Sequence, residues 1–524
     1  MNQKSANPKD SAAVILLNEA GDQVLWARRN PNLKFLGGWH AFPGGKLEAS
    51  DADVKVVNCA DGELEKFIVC AVREAFEEVG ILLVRNGEKL TRGQRASLHD
   101  DLISGRMMFA EILAHWNLWI DAKDFGYAGF WTTPQFSPIR FKTRFFLARC
   151  PPKQTPFAAI SELENVEFIA PKNALNRWKK SEVLISPPVL LSLQTLAAEI
   201  PNSEFQIPYF NSETPKPKDR KLKNAAEKLL EKSQAADGII PYIEFNSRII
   251  CLPLKTETLP PATHTNCFIV GREKFVVVDA AANNEAEQKL LHDLVDSFVE
   301  KNFECQAIIT THQHPDHFGG ETVLQTHLFD KFNLQIPLAA HQATAEKLRG
   351  KIEFQKILSD GDVFDLEAET SANFQLQIIH TPGHASGLLA FYDAERGFLL
   401  SGDNVISASS VVIAPPDGNL RDYLTSLERL KNLPNLNFLC GSHGSAIFNA
   451  KAKIESYIAH RLERENQILE ALKTGAKTIP EIAAIVYPDL KPELLKLAEK
   501  SVEAHLEKIN EEKSSRKHTQ KLTK

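Results

Sequence analysis

Seven residues in the C-terminal half of the chain have the types and the spacing that bind metal ions. Four of them fall within six consecutive positions, in the string Thr311–Gly320, and three follow later. Three imidazoles and a carboxylate this close together are costly to bury unless a cation neutralises and orders them. Imidazole and carboxylate groups suit Zn²⁺, and Fe or Mn is compatible with them. The seven residues are His312, His314, Asp316, His317, His384, Asp403 and His443.

Each of these motifs directly follows a short apolar run, which is typical of a buried strand. Ligands placed just past strand ends stand on a rigid base, and nearby glycines allow close approach. The sequence therefore predicts one site at which four strand ends converge. The four runs are Ala307–Ile309, Ile378–Ile379, Phe398–Leu400 and Phe438–Cys440.

The order HxHxDH, then His, Asp and His, resembles the metallo-β-lactamase fold over about residues 240–445. The resemblance implies an αββα sandwich with two Zn²⁺ (or Fe or Mn) ions, in which Asp403 bridges the metals. A bridging hydroxide would be the nucleophile, and Asp316 would take or hand on a proton. True lactamases usually carry Cys or Ser at the position of Asp403, so antibiotic hydrolysis is not expected. The implied ligands are His312, His314 and His384 for one metal, and Asp316, His317 and His443 for the other.

Three residues near these motifs lie off the ligand pattern. Asp279 stands in an Asp-Ala-Ala turn where the fold usually has a different turn, and we expect it to support the site rather than bind metal. His264 and His380 are expected to be structural.

The N-terminal half carries a helix with three stacked carboxylates. Glu74, Glu77 and Glu78 stand at i, i+3 and i+4, on one face of a helix predicted near residues 66–79 and ended by Gly80. Like charges on one stripe repel, so a cation is expected among them, and Mg²⁺ prefers such oxygen ligands. The alternative is a solvated acidic face.

The residues around this helix resemble the Nudix box, with Glu65, Arg73, Glu74, Glu77, Glu78, Gly80 and Ile81 matching. Between Gly45 and Glu65 there are 19 residues where the box has five, an insertion of 14. This insertion recurs in a subgroup similar to the peroxisomal coenzyme A diphosphatase. The resemblance covers about residues 10–200.

The Nudix resemblance implies cleavage of a nucleoside diphosphate linked to another moiety. Glu74, Glu77 and Glu78 would hold Mg²⁺ or Mn²⁺ and activate water, and Arg73 would orient the glutamates. Lys34, Gly44 and Gly45 would contact the substrate, although Lys34 replaces the arginine of the coenzyme A pattern. A further carboxylate would come from Glu162, Glu164 or Glu167, and the sequence does not choose among them.

The chain after residue 449 is nearly all helical in pattern and resembles the winged-helix appendage of lactamase-β-like endoribonucleases. Its third helix, expected over about 491–509, mixes lysines with glutamates, which is not the pattern of a nucleic-acid-reading helix. No wing is expected after it. Packing or dimerisation is favoured over nucleic-acid reading.

Length and composition set the outer limits. A chain of 524 residues predicts about three domains, and a net charge of −6 gives no global attraction to nucleic acid or to an anionic membrane. Seven dispersed cysteines without a CxxC pair predict reduced thiols and, with a polar N-terminus, a cytoplasmic protein. The predicted segments are a Nudix α/β/α sandwich (10–200), a linker (201–234), a metallo-β-lactamase αββα sandwich (235–448), a helical winged-helix-like domain (449–510) and a polar tail (511–524).

These features together predict a bifunctional metal-dependent hydrolase. The first half would act as a diphosphatase on coenzyme A or acyl-coenzyme A, and the second would cleave a thioester or ester. One alternative is an RNA-processing protein whose second half is a single-stranded RNA phosphodiesterase. Another is a chain in which one domain is a non-catalytic ligand sensor. The expected partners are small nucleotide or thioester substrates, with RNA and homodimerisation left open and no membrane.

Overall fold

The computed structural model describes residues 6–33, 36–159, 161–199, 219–366, 374–407 and 409–522. The chain divides into two compact units, residues 1–246 and 247–524. The seven cysteines are all free, and six of them are buried.

The first unit is built on a mixed sheet in which the chain's hydrophobic residues cover both faces. The central strands β1 and β8 pair in parallel over nine positions, and the sheet order is β3-β2-β1-β8-β7, with β4 on β1 and β9 on β2. The strands are β1 (Lys9–Leu17), β2 (Val24–Arg29), β3 (His40–Ala41), β4 (Gly44–Lys46), β5 (Val56–Val57), β6 (Ile120–Asp121), β7 (Gly126–Thr132), β8 (Phe141–Arg149), β9 (Leu163–Ile169) and β10 (Ile243–Asn246), and the helices are α1 (Gly62–Val79), α2 (Arg92–Ile103), α3 (Phe109–His115), α4 (Pro171–Lys179), α5 (Pro187–Glu199) and α6 (Asp219–Ala235).

Alternate residues of β1 enter two different cores. Ala12, Val14 and Leu16 pack with α1, whereas Ala13, Ile15 and Leu17 pack with α4, α5 and α6. A strand has a side-chain period of two, so an almost entirely apolar strand is buried on both faces. This arrangement is the predicted α/β/α sandwich.

Helix α1 begins about one turn before the predicted start and ends where predicted. Asp61 caps its N-terminus by accepting from the Glu63 amide, and Gly80 ends it in the left-handed conformation at φ 68°. A Cβ on Gly80 would also lie 2.2 Å from the Phe157 ring. The position therefore requires glycine both for backbone conformation and for space.

The structure corrects part of the predicted linker 201–234. Helix α6 occupies residues 219–235, and its face with Ala225, Ala226 and Leu229 is buried against the sheet. The Ser233 hydroxyl also donates to the Phe130 carbonyl at 2.6 Å. The lysines of this segment suggest a solvated chain, but the apolar residues recur at helical spacing and cover the sheet. The rest of the predicted linker, 201–218, lies outside the described residues.

The second unit contains two sheets flanked by helices. One runs in the order β11-β12-β13-β14-β15-β16 and the other in the order β17-β18-β19-β20-β21-β22. Helices α7 and α8 contact the first sheet, and α10 and α11 cover the second, which is the predicted αββα layering. The strands are β11 (Ile249–Lys255), β12 (His264–Gly271), β13 (Lys274–Val278), β14 (Glu304–Ile309), β15 (Leu338–His341), β16 (Lys356–Leu358), β17 (Val363–Asp365), β18 (Gln375–His380), β19 (Leu389–Asp393), β20 (Phe398–Gly402), β21 (Phe438–Gly441) and β22 (Ile447–Phe448), and the helices are α7 (Glu285–Val299), α8 (Glu321–Phe332), α9 (Gln342–Lys347), α10 (Leu420–Lys431), α11 (Ala450–Lys473), α12 (Ile479–Val486) and α13 (Leu495–Leu522).

The last three helices, α11 to α13, pack around a small hydrophobic core of their own at the end of the second unit. A capping box at Thr478–Glu481 opens α12. Helix α13 continues to Leu522, so the predicted polar tail 511–524 is helical over its described part. Lysine and glutamate are good helix formers, and pairs such as Lys508 with Glu512, 2.7 Å apart at i,i+4, support the extension. Among the described residues after 449 there is no strand, in line with the absence of a predicted wing.

Candidate metal centres

The three predicted ligands of the first metal meet at one point of the second unit. His312 and His314 follow β14, and His384 follows β18. The Nδ1 atom of His314 lies 2.9 Å from Nε2 of His312 and 2.9 Å from Nε2 of His384. Burial, together with the neighbouring histidines, lowers the pKa of His314 to about 4 and lowers that of His312 further from its usual value. The imidazoles are therefore neutral, as metal ligands must be.

In His384 and His312, the hydrogen bond made by Nδ1 determines that Nε2 faces the site. A carbonyl only accepts, so Nδ1–H of His384 donates to the Val412 carbonyl at 2.7 Å. The Thr311 hydroxyl donates to Asp279, so its oxygen accepts from Nδ1–H of His312. Both Nε2 atoms then present lone pairs towards His314, whose single proton can satisfy only one of them. A shared cation satisfies all three nitrogens, so the donor set fits Zn²⁺.

The second predicted set, Asp316, His317 and His443, is built by the same means. His317 donates through Nδ1 to Asp279 at 2.9 Å, and His443 donates through Nδ1 to the His264 carbonyl at 2.9 Å. Their Nε2 atoms face Asp316, whose oxygens lie 3.7 Å from His317 and 3.4 Å from His443. The buried Nε2 of His317 has no hydrogen-bond partner. That orphaned nitrogen is the one a cation at this position would use.

Asp403 lies between the two sets. Its Oδ2 is 3.5 Å from Nε2 of His384 and 3.6 Å from Nε2 of His317, and its Oδ1 is 3.5 Å from Nε2 of His443. Burial opposes its charge, but His443 and His317 hold the pKa of Asp403 well below its usual range. Conversely, although burial acts to lower them, Asp403 raises the pKa values of both histidines. One ionised carboxylate thus lies beside histidines of both predicted ligand sets.

Three off-pattern residues have structural contacts. Asp279, with φ 55°, accepts from the Thr311 amide at 2.8 Å as well as from His317. The carbonyl of His264 accepts from Nδ1–H of His443. His380 donates through Nε2 to the Ser386 carbonyl at 2.9 Å and stacks on His341. The sequence could not reveal the Val412 carbonyl behind His384, because every residue type carries such a group.

In the first unit the carboxylates of α1 are organised by an arginine. Arg73 is 4% exposed, and its Nη1 donates to Glu74 at 2.9 Å and to Glu77 at 3.1 Å. Glu78 accepts from the Gly44 amide at 2.8 Å. Among the described residues, the sets of three side chains that bring potential metal-ligand atoms within 4.8 Å of one another all belong to the histidine sites. None of these sets includes Glu74, Glu77 or Glu78. Arg73 therefore lies beside the Glu74 and Glu77 carboxylates and is hydrogen-bonded to both.

The predicted insertion supplies a residue that the motif did not reveal. Asp51, 1% exposed, accepts from Nε of Arg73 at 2.8 Å and from Nη2 at 3.0 Å. Burial opposes the charge on Arg73, but Asp51 and Glu74 raise its pKa. Glu65 contacts the same insertion by accepting from the Val56 amide at 2.8 Å. A bidentate pair at this depth fixes the guanidinium over the glutamates.

The glycines before the insertion are held close to the glutamates. A Cβ on Gly45 would lie 2.5 Å from the Glu74 carboxylate, and one on Gly44 would lie 2.4 Å from the Ala12 carbonyl oxygen. Their contact with substrate stays a prediction, and Lys34 lies outside the described residues. Of the three late carboxylates, Glu162 is the one whose charge acts on Glu78, whereas Glu167 is bonded to Trp26 and Arg177.

Asp51→Ala is expected to lower the free energy of unfolding of the first unit by about 3–5 kcal/mol, because it leaves a buried guanidinium without its principal partner. All six tryptophans lie before residue 180, so tryptophan fluorescence during urea unfolding of the full chain reports on this unit alone. Asp53→Ala, at an exposed carboxylate of the same turn, is the matched control. Equal unfolding curves for the two variants would contradict the assignment.

Four family models match successive parts of the chain. Residues 7–103 match the NUDIX domain and residues 61–196 the NUDT19 Nudix domain. Residues 260–443 match the metallo-beta-lactamase superfamily, and residues 478–520 match the beta-lactamase associated winged helix domain. These matches confirm both predicted resemblances and the winged-helix-like appendage.

Individual relatives match parts of the chain. The beta-lactamase-like protein 2 homolog of Caenorhabditis elegans is 28% identical over 43% of this chain and 71% of its own length. An atrochrysone carboxyl ACP thioesterase of Pseudocercospora fijiensis is 26% identical over 42% of this chain and 60% of its own length. A NUDIX hydrolase structure from Alicyclobacillus acidocaldarius shares 28% identity over 37% of this chain and 93% of its own, with a TM-score of 0.32.

A metallo-beta-lactamase family protein structure from Thermus thermophilus shares 23% identity over 51% of this chain and 95% of its own, with a TM-score of 0.40. Within the described ranges, no helix has the length and apolar character needed to cross a bilayer.

Both hydrolase families are metal-dependent. The chain therefore joins a Nudix hydrolase domain to a metallo-β-lactamase superfamily hydrolase domain that carries the associated winged helix domain.

Proposed function

We propose that the second unit hydrolyses a thioester or ester at a two-metal site. The observation that carries this proposal is the position of Asp403, whose two oxygens lie 3.5–3.6 Å from histidines of both ligand sets. The name of the Pseudocercospora fijiensis relative, a thioesterase, supports a thioester substrate. Two Zn²⁺ ions, or Fe or Mn, would supply an activated water and charge stabilisation when bound.

The side chains around that position divide the remaining work. The histidines would hold the metals through Nε2 of His312, His317, His384 and His443 and through Nδ1 of His314, the nitrogens that face the site. Asp316 faces Nε2 of His443 at 3.4 Å and is 15% exposed at its side chain, so it can exchange a proton with a group entering the site. Asp279 and the Val412 and His264 carbonyls hold the ligand rings in the tautomers that this task needs.

The first unit, in the same proposal, cleaves the diphosphate of coenzyme A or an acyl-coenzyme A. The match of residues 61–196 to the NUDT19 Nudix domain supports a substrate of that subgroup. Glu74, Glu77 and Glu78 would hold Mg²⁺ or Mn²⁺, and the buried Arg73, which donates to Glu74 and Glu77, would set the positions of those two. Of the three late carboxylates, Glu162 is the one whose charge raises the pKa of Glu78, so we assign the further carboxylate to it.

A single incubation tests both activities. The full chain with acyl-coenzyme A, Mg²⁺ and Zn²⁺ is expected to yield, by mass spectrometry, adenosine 3′,5′-bisphosphate from diphosphate cleavage and free carboxylic acid from thioester cleavage. Glu77→Gln should remove only the first product, and His314→Ala only the second. Each variant serves as the control for the other, because the altered residue lies in the opposite unit.

Unchanged acyl-coenzyme A would contradict the proposal. A labelled single-stranded RNA cut by the wild type but not by His314→Ala would favour the phosphodiesterase alternative. A thioesterase rate that falls in Glu77→Gln would indicate that the first unit regulates the second, and an unchanged rate would show that the units act independently.

Magnesium binding to the first unit is expected to strengthen steeply with pH. Burial raises the pKa of Glu74 to about 7 and that of Glu78 to about 8, and burial also raises the pKa of Glu77. A solution at pH 6 lies about one unit below the pKa of Glu74 and about two units below that of Glu78, so displacing their protons weakens the apparent affinity about 10³-fold relative to pH 9. Isothermal titration calorimetry with Mg²⁺ across this pH range measures the change in apparent affinity.

The metal-free unit should show the opposite trend in stability. Because both folded-state pKa values exceed the ordinary glutamate value of 4.5, the stability that these protonated carboxyls contribute is fully present below pH 4.5 and is lost as the pH rises through about 8. The double variant Glu74→Gln, Glu78→Gln should abolish both trends. An Mg²⁺ affinity that does not change between about pH 6 and pH 9 would contradict the assignment of these ligands.

A further inference from the structure

The loop that lies behind His384 is held by helix α11 of the C-terminal region. Val412 accepts from Nδ1–H of His384 at 2.7 Å. The preceding carbonyl, that of Val411, accepts from Nη2 of Arg461. Arg461 is 5% exposed, so this is a buried charge-assisted hydrogen bond to the backbone.

A second side chain of α11 holds the start of the same loop. The Tyr457 hydroxyl oxygen lies 2.8 Å from the Ile406 carbonyl and 2.5 Å from the Ser409 carbonyl, and it accepts from the Ile406 amide at 3.4 Å. Tyr457 and Arg461 are one helical turn apart, so one face of α11 reaches both parts of the loop. Removing either group leaves buried backbone groups without a partner.

The residues on either side of Val412 are anchored in a hydrophobic core. Val411 and Ile413 are buried in the cluster that includes Leu427 of α10, Ile454 of α11 and Ala504 of α13. With both neighbours packed, the Val412 carbonyl has little freedom to turn away from His384. The direction of that carbonyl determines which nitrogen of His384 carries the proton.

We propose that Arg461 and Tyr457 are positioning residues of the metal centre. They fix the loop so that Val412 holds His384 with its Nε2 lone pair towards His314, and helix α11, which precedes the winged helix match at residues 478–520, thereby supports the metal site. This inference rests on the proposed two-metal site. It also gives Arg461 a task other than nucleic-acid contact, since its guanidinium is buried.

The test measures metal binding to the full-length protein rather than its activity. The chelator-treated chain is titrated with Co²⁺ in competition with a chromogenic chelator, and the d–d absorption of each bound ion is recorded. The variants are Arg461→Met and Tyr457→Phe, with Arg461→Lys as the conservative replacement. Arg464→Met is the matched control, because Arg464 makes the same type of bond, 3.0 Å to the Val486 carbonyl, away from the loop.

The proposal predicts two binding events in the wild type, of which one weakens by about tenfold or more in Arg461→Met and in Tyr457→Phe. The d–d absorption of the Co²⁺ ion bound at this weakened site should change, because His384 is no longer fixed. Arg461→Lys should recover part of the affinity. Arg464→Met should bind both ions as the wild type does, even where its thermal unfolding temperature falls.

Wild-type affinities for both ions in folded Arg461→Met and Tyr457→Phe would overturn the proposal. So would an equal loss in Arg464→Met, which would show a general effect of loosening the C-terminal helices. If Arg461→Met does not fold, Tyr457→Phe decides the matter. A wild type that binds no Co²⁺ would instead refute the two-metal function itself.

Discussion

The crowding of imidazole lone pairs and carboxylates at four strand ends is the constraint on which the second unit depends. Nδ1 of His314 lies 2.9 Å from Nε2 of both His312 and His384, and Asp403 carries its charge in a buried position beside them. Such an arrangement is repulsive unless cations occupy it. The strands provide the rigid base, and the hydrogen bonds behind each ring prevent the ligands from turning away.

The first unit contains the same type of problem with a different solution. The three glutamates of α1, of which Glu78 is buried and the other two are partly buried, would repel one another, and the structure reduces this repulsion with Arg73 and with raised pKa values. Asp51 in turn holds Arg73 from the opposite side. The insertion therefore does more than lengthen a loop: it helps to determine how much of the negative charge remains available to Mg²⁺. His312, His314 and His384 have lowered pKa values and are neutral before an ion binds, whereas the glutamate centre must release protons to bind its ion.

The sequence predicted those parts of the structure that depend on side-chain chemistry at fixed spacing. The strand before each ligand motif and the helix stop at Gly80 are both present. The features that the sequence could not predict depend on tertiary contacts between residues far apart in the chain. Val412 acts through a carbonyl that any residue would supply, and Asp51 lies 22 positions from the arginine it binds. Helix α6 was missed because its lysines dominate the composition, while a few alanines and leucines form the buried face.

The most direct test of the two-metal centre is a crystal structure of the full chain grown with Zn²⁺ and recorded at the zinc absorption edge. Two anomalous peaks are expected in the second unit, one among His312, His314 and His384 and the other among Asp316, His317 and His443. An oxygen of Asp403 should lie within bonding distance of each, about 2.0–2.2 Å. No zinc among these residues, or a single ion with Asp403 directed away from it, would contradict the two-metal centre on which the proposed chemistry rests.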